Sequence, residues 1–212
     1  MKENKNRCTF YIVRHGQTEW NVDHRLQGHM DSPLTPDGIL QAEELAKTFT
    51  GTHFDAAYSS DSFRAHRTAQ IVSSEHNLVV KTNQLLREGY YGEYEGKKVT
   101  EYREELKDLL EAREQLADQE RFTFELGHGI ETNEKMVSRF ITFLREAALA
   151  HPTENVLVVS HGGMIAVLLV HLGFGTFREL APGSVKNLAY LVLESDGTDF
   201  YIKKTHNIEK MQ

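Results

Sequence analysis

The sequence predicts an α/β protein: a three-layer α/β/α sandwich with a mostly parallel central sheet and a helical cap insertion. Three observations predict it. Short apolar runs alternate with segments of helical period along most of the chain, the pattern of parallel strands joined by right-handed crossover helices that cover both faces of a sheet. Residues 155–160 contain Val156-Leu157-Val158-Val159, a continuous apolar run suited to a strand buried on both faces. From Val99 to Glu120 the chain is charged and helical, with the sparse apolar stripe Tyr102, Leu106, Leu109, Leu110. Such a helix buries one narrow face and solvates the rest, as a cap over the sheet would.

Taken in order, Cys8 to Val13 is apolar, aromatic and β-branched, and reads as a buried first strand. It stops at Arg14-His15-Gly16, followed by the polar set Gln17, Thr18, Glu19 and Asn21. The stretch 22–38 is a loop of glycines, prolines and short polar residues. Thr35-Pro36 starts a helix, a hydroxyl N-cap before proline at the first helical position. Ile39, Leu40, Ala42, Leu45, Ala46 and Phe49 continue it, and Gly51 is placed to end it. Phe54 to Tyr58 reads as a second strand. Asp61 or Ser62 caps the helix that follows, over 63–76. Arg64 in its first turn opposes the helix dipole, so an anion is expected to meet it; His66 and Arg67 read as surface. A third strand begins at Leu78 to Val80, and Leu85-Leu86-Arg87-Glu88 leads into a glycine- and tyrosine-rich loop. Thr132 or Asn133 starts a long helix that Pro152 stops. The strand over 155–160 ends at Ser160-His161-Gly162-Gly163, and an apolar helix follows at once, with His171 as packing or surface. Leu188 to Leu193 and Asp199 to Lys204 are strands around the hairpin signal Asp196-Gly197.

The 212 residues suit one domain spanning 1–212, with the cap inserted at about 90–131. The composition, 40% hydrophobic and 26% charged, is that of a soluble globular protein. A net charge of -7 without a basic run argues against a nucleic-acid or membrane-surface binder, so an anionic ligand needs a local cationic pocket. Cys8 is the only cysteine, which excludes an intrachain disulfide and fits a reducing compartment. Its place in a strand makes it a buried small hydrophobe. The polar start MKENKNR lacks the apolar core of a signal peptide and no stretch is long enough to span a bilayer, so a cytoplasmic protein is expected, as monomer or homodimer.

Three strand ends thus offer related groups: Arg14-His15-Gly16, Arg64, and His161-Gly162-Gly163. In an open α/β sheet, ligands bind beyond the carboxyl ends of the strands. Two arginines supply planar forks for phosphate oxygens. The glycines after His161 let N–H groups at a helix N-terminus approach an anion closely. Cations beside the histidines would repel a metal, and the spacing fits no zinc pattern. Phosphate is the ligand that uses the whole set, and no metal or cofactor is expected.

The blocks RHGQTEWN (14–21), LQG (26–28), SSDSFRAHRTA (59–69), LREGYYGEYEG (86–96) and SHGG (160–163) together resemble the histidine phosphatase superfamily, in its phosphoglycerate-mutase-like branch. The resemblance implies that His15 is the nucleophile that becomes phosphohistidine. It also implies that Arg14, Arg64 and His161 bind the transferring phosphoryl group, and that Glu88 is the proton donor. Asn21 and the Gln27-Gly28 loop would assist, with Gly16, Gln17, Thr18, Tyr91 and Gly162 also lining the substrate site. Mutases of this branch carry a lysine at the position of Val99 and a paired arginine in the insertion; this chain has neither. Lys97, Lys98, Arg103 or Arg121 are the candidate substitutes. The balance favours a metal-independent phosphatase acting on a small-molecule phosphomonoester. The alternatives are a phosphoglycerate mutase or phosphotransferase, and a phosphate-ligand binding module without turnover. Tyr90, Tyr91 and Tyr94, with Phe122 and Phe124, are candidates for an apolar wall around the leaving group.

Overall fold

The computed structural model describes residues 6–211; most of the polar start, residues 1–5, lies outside the described residues. Six strands, β1 (Cys8–Arg14), β2 (Ala56–Ser59), β3 (Val80–Thr82), β4 (Asn155–Ser160), β5 (Val185–Ser195) and β6 (Phe200–Ile208), form one sheet in the order β3-β2-β4-β1-β5-β6. The first four of that order run parallel, whereas β5 is antiparallel to β1 and β6 to β5. The helices are α1 (Glu19–Val22), α2 (Pro36–Thr48), α3 (Phe63–Val72), α4 (Val99–Glu105), α5 (Lys107–Glu114), α6 (Asp118–Thr123), α7 (Asn133–Ala150) and α8 (Gly162–His171).

Alternation along the strands builds the three layers, because successive side chains leave opposite faces of a sheet. Phe10 and Ile12 of β1 join Val156 and Val158 of β4 in a core with Phe140 and Leu144 of α7 and Ile165 and Leu168 of α8. The alternate residues Val13, Leu157 and Val159 pack instead with Ala42 and Leu45 of α2 and Ala65 and Ala69 of α3. β4 is therefore apolar at every central position, as the Val-Leu-Val-Val run requires. Cys8 lies fully buried in the first core, and burial pushes its thiol up to about 12, so it is a packing residue.

The structure shifts several boundaries of the sequence reading: β2 starts at Ala56 and not Phe54, α3 ends at Val72 and not residue 76, β5 starts at Val185 and not Leu188, and β6 runs on to Ile208. α2 keeps its Thr35 cap, whose hydroxyl accepts from Gly38 N–H at 2.9 Å, but it ends before Gly51: the buried Phe49 is the C-cap. Ser62 holds the N-cap of α3 without a side-chain bond, and Asp61 is drawn off to Arg87 at 2.6 and 2.7 Å. β3 runs over Val80–Thr82 rather than from Leu78, in register with Ala57–Ser59 of β2. The helix expected over 99–120 is three short ones. Its axis breaks at Leu106, which is 3% exposed and inserts into a small separate core with Tyr94 and Leu126, packed by Tyr91, Tyr102 and Phe124.

Candidate active site

Register brings the expected residues together. Arg14 of β1 is directly opposite Ser160 of β4, so His15 and His161 leave neighbouring strands at one level, their rings 5.3 Å apart in an edge-to-face arrangement. Ser59 of β2 pairs with Val159, which carries Arg64 to the same edge at the first turn of α3. The start of β5 completes the floor. Arg14 Nη1 donates to Val185 C=O at 2.6 Å, and Asn187 Nδ2 donates to His15 C=O at 3.1 Å. The β5–β6 pairing slips between Val185 and Tyr190, and Leu188 has φ of +55°. Such a bulge re-aims side chains beside a functional site.

His15 is 3% exposed, and its Nδ1 is 2.7 Å from Gly16 C=O. A carbonyl only accepts, so Nδ1 carries the proton and Nε2 keeps its lone pair. Burial first, then Arg64 and Arg14, hold the His15 imidazole well below its ordinary value of 6.5, so it is neutral near pH 7. His161 is fully buried, and Arg64 Nη2 donates to its Nδ1 at 3.1 Å. Its Nε2 therefore carries the hydrogen. Burial, Arg64 and His15 likewise keep it uncharged.

Arg64, 1% exposed, meets its anion within the protein: Nη1 pairs with Asp31 Oδ1 at 3.0 Å. Its other terminal donors go to Met30 C=O at 2.8 Å, Gly28 C=O at 2.9 Å and His161. The Asp31 carboxylate also accepts from Phe63 and Arg64 N–H, so it supplies the cap that Ser62 does not. Three buried donors in the site remain without a protein partner: Arg14 Nε, Arg64 Nε and His161 Nε2. Buried donors are almost always satisfied, so three on side chains of one site mark it as a place for an anion's oxygens.

The N-terminus of α8 departs from expectation. Gly163 and Met164 N–H bind the Glu88 carboxylate, at 2.9 and 3.0 Å, rather than standing open for a ligand. Both glycines lie close against side chains of the site. A Cβ at Gly162 would stand 3.1 Å from Arg14 Nε, and one at Gly163 would stand 2.7 Å from Glu88 Oε1. Gly163→Ala is expected to displace Glu88 while leaving the buried stripe of α8 in place. The check is a loss of turnover of about 10-fold or more with an unchanged melting temperature, since misplacing a reacting group by about 1 Å can cost roughly 100-fold.

Around this centre, Gly16 N–H donates to Thr68 Oγ1 at 3.0 Å, and Thr68 donates to Arg64 C=O at 2.7 Å. Gln17 Oε1 accepts from Thr35 at 2.9 Å, tying the loop to α2. Thr18 and Asn21 form a reciprocal capping box on α1, and Gln27 is buried between Thr18 and Ser32. Asn21 Oδ1 also accepts from Asn187 at 3.3 Å. The side chains of Gln17, Thr18 and Gln27 are thus engaged in holding the loop. Tyr91 packs edge-to-face on Tyr102 in the cap core, where burial raises its phenol. Among the described residues, no group of three His, Cys, Asp or Glu is arranged to hold a metal.

A family model for branch 1 of the histidine phosphatase superfamily matches residues 10–208. The chain belongs to that superfamily. It is 33% identical over 219 residues to a broad-specificity phosphatase of Saccharomyces cerevisiae, covering 99% of this chain and 90% of that one. Among solved structures, a phosphoglycerate mutase from Bacillus anthracis superposes with a TM-score of 0.82 at 28% identity, covering 98% of this chain and 96% of its own. A mycobacterial glucosyl-3-phosphoglycerate phosphatase in complex with VO3 superposes at 0.78 and 26% identity, covering 92% and 96%. Relatives of this chain are named both as phosphatases and as phosphoglycerate mutases.

Sequence reasoning missed Asp31, Thr68, Asn187 and Glu95. Glu95 accepts from His29, Met30 and Tyr91 N–H, at 2.6, 2.9 and 3.3 Å, and joins the 28–30 loop to the Glu88 loop. The one available signal was Asp31 itself, a carboxylate in a glycine-rich loop that precedes an arginine needing an anion. A cavity of about 530 Å³ is lined by His29, Tyr90, His128, Ile130, Glu131 and Lys135. Of the aromatic residues expected to wall the leaving group, Tyr90 lines it. Tyr91, Tyr94 and Phe124 are spent on the cap core, and Phe122 packs on Phe177. The cavity wall is accordingly mixed, with Tyr90 and Ile130 among charged and polar side chains.

Proposed function

We propose that this protein is a metal-independent phosphatase that hydrolyses a phosphomonoester of a small organic metabolite through a phosphohistidine on His15. The observation that carries this reading is a neutral histidine whose tautomer leaves Nε2 free, set among the three unpartnered donors Arg14 Nε, Arg64 Nε and His161 Nε2. In the first step the Nε2 lone pair attacks phosphorus and the bond to the leaving oxygen breaks. Glu88 gives that oxygen a proton, and Gly16 C=O supports the positive charge that develops on the imidazole. Arg14, Arg64 and His161 stabilise the equatorial oxygens, the work a metal does elsewhere. In the second step water attacks phosphorus, the N–P electron pair returns to Nε2, and Glu88 takes the water's proton.

Hydrolysis is favoured over mutation by the cap. Val99 opens α4, and the nearby lysines are engaged: Lys97 pairs with Glu105 at 3.7 Å and Lys98 donates to Asp23 C=O at 2.7 Å. Arg121 lies over the Phe177 ring. A panel of phosphorylated metabolites assayed in EDTA tests the reading, alongside interconversion of 2- and 3-phosphoglycerate with and without 2,3-bisphosphoglycerate. Phosphate release that survives chelation and exceeds interconversion is expected. Activity lost in EDTA and restored by magnesium or zinc, or faster interconversion, would contradict it.

A further inference from the structure

We propose that Arg139, fixed by Glu131, is a positioning residue that sets the place of Glu88; this rests on the reading of Glu88 as the general acid. Residues 87–91 have no regular secondary structure, so no strand or helix partner holds the backbone that carries Glu88. Its carbonyls are instead gathered on one guanidinium. Arg139 Nη1 donates to Leu85 C=O at 2.8 Å and to Arg87 C=O at 2.6 Å, and Nη2 donates to Glu88 C=O at 2.8 Å. The two remaining donors meet Glu131: Nε to Oε1 at 2.9 Å and Nη2 to Oε2 at 3.0 Å. An arginine has five N–H donors in a rigid plane, and here all five are used.

The anchor behind this fork is rigid. Arg139 leaves α7 between Met136 and Phe140, both in the main core, so the helix cannot shift without disturbing the sheet. Glu131 adds a second tie to the same loop, since its Oε2 accepts from Tyr90 N–H at 3.2 Å and its N–H donates to Tyr90 C=O at 2.8 Å. The pair is about one-sixth exposed on both sides and faces the loop from beneath. The α8 N-terminus therefore fixes the Glu88 carboxylate, and Arg139 fixes its backbone. Lysine keeps the charge at this position but cannot span three carbonyls and a carboxylate in one plane. A displaced Glu88 hands over its proton poorly, which matters most when the leaving oxygen is basic.

The test uses the full chain and compares phosphoenzyme formation in single turnover from phenyl phosphate and para-nitrophenyl phosphate. These have rings of like size and leaving groups of unlike basicity. Arg139→Lys should lower the phenyl phosphate rate about 10-fold more than the para-nitrophenyl phosphate rate, the scale expected of a slightly misplaced acid. Glu131→Gln should do the same more weakly, and it serves where Arg139→Lys fails to fold. In a Glu88→Gln background neither change should add further discrimination between the two substrates. Equal losses for both substrates in the Arg139 and Glu131 variants, while Glu88→Gln discriminates, would make the pair a plain brace of the fold and overturn the proposal alone. If Glu88→Gln itself fails to discriminate, the acid role falls and this proposal falls with it.

Discussion

His15→Ala is expected to lower turnover by roughly 10⁴- to 10⁶-fold, the scale on which removing a covalent nucleophile acts. The loss should be equally deep for good and poor leaving groups, because every substrate passes through attack by Nε2. Inorganic phosphate should still bind the variant, since Arg14 Nε, Arg64 Nε and His161 Nε2 remain to receive it. In the wild type the same environment fixes the response to acid. Burial, Arg64 and Arg14 hold His15 well below 6.5, so its lone pair is lost only as pH falls through that lowered value. Between about pH 7.5 and about pH 6 an ordinary imidazole would surrender most of its neutral form. Here kcat/KM should show no such loss once the substrate's own titration is divided out. A fall of that size over this range would mean that the arginines do not act on the imidazole as their placement implies.

Glu88→Gln carries the second large effect, and it should depend on the leaving group. The amide keeps the shape of the carboxylate but has no proton to transfer to the departing oxygen. General acid–base assistance is worth about 100- to 10,000-fold, so an alkyl phosphate should lose that much in phosphoenzyme formation. Para-nitrophenyl phosphate departs with little protonation and should lose far less. The variant also turns one acceptor oxygen away from Gly163 or Met164 N–H, a cost common to both substrates. That shared part is read from the para-nitrophenyl rate and divided out. Equal losses for the two substrates would leave Glu88 as a cap on α8 and remove it from the acid role.

The sheet and the cluster at its edge were legible because local pattern decides them. Val156 to Val159 suits a strand covered on both faces, and Thr35-Pro36 is a helix start by its own chemistry. Once β1 and β4 are parallel neighbours, register alone sets His15 beside His161. What could not be read depends on partners far apart in sequence. Arg64 was recognised as a cation awaiting an anion, but Asp31, 33 residues earlier, meets it before any ligand does. The glycines after His161 were read as a cradle for phosphate. They instead lie close against Arg14 and Glu88, because the loop that carries Glu88 folds back onto the N-terminus of α8. The cap was read as one helix: Leu106 was placed on its buried stripe, but nothing in the local sequence marks it as the residue where one helix ends and the next begins. Asn187 was passed over because the strand was read from Leu188 onward, whereas β5 starts at Val185 and Asn187 donates to His15 C=O.

The chemistry rests on a phosphoryl group passing through His15 Nε2, and trapping that group tests it most directly. Wild-type protein mixed with radiolabelled para-nitrophenyl phosphate and quenched in alkali within one turnover should carry one phosphoryl per chain, stable in base and labile in acid. Peptide mapping under basic conditions should place it on His15, and His15→Ala should carry none. Label on another residue, or multiple-turnover hydrolysis with no phosphoenzyme at any quench time in the Glu88→Gln variant, would contradict the account.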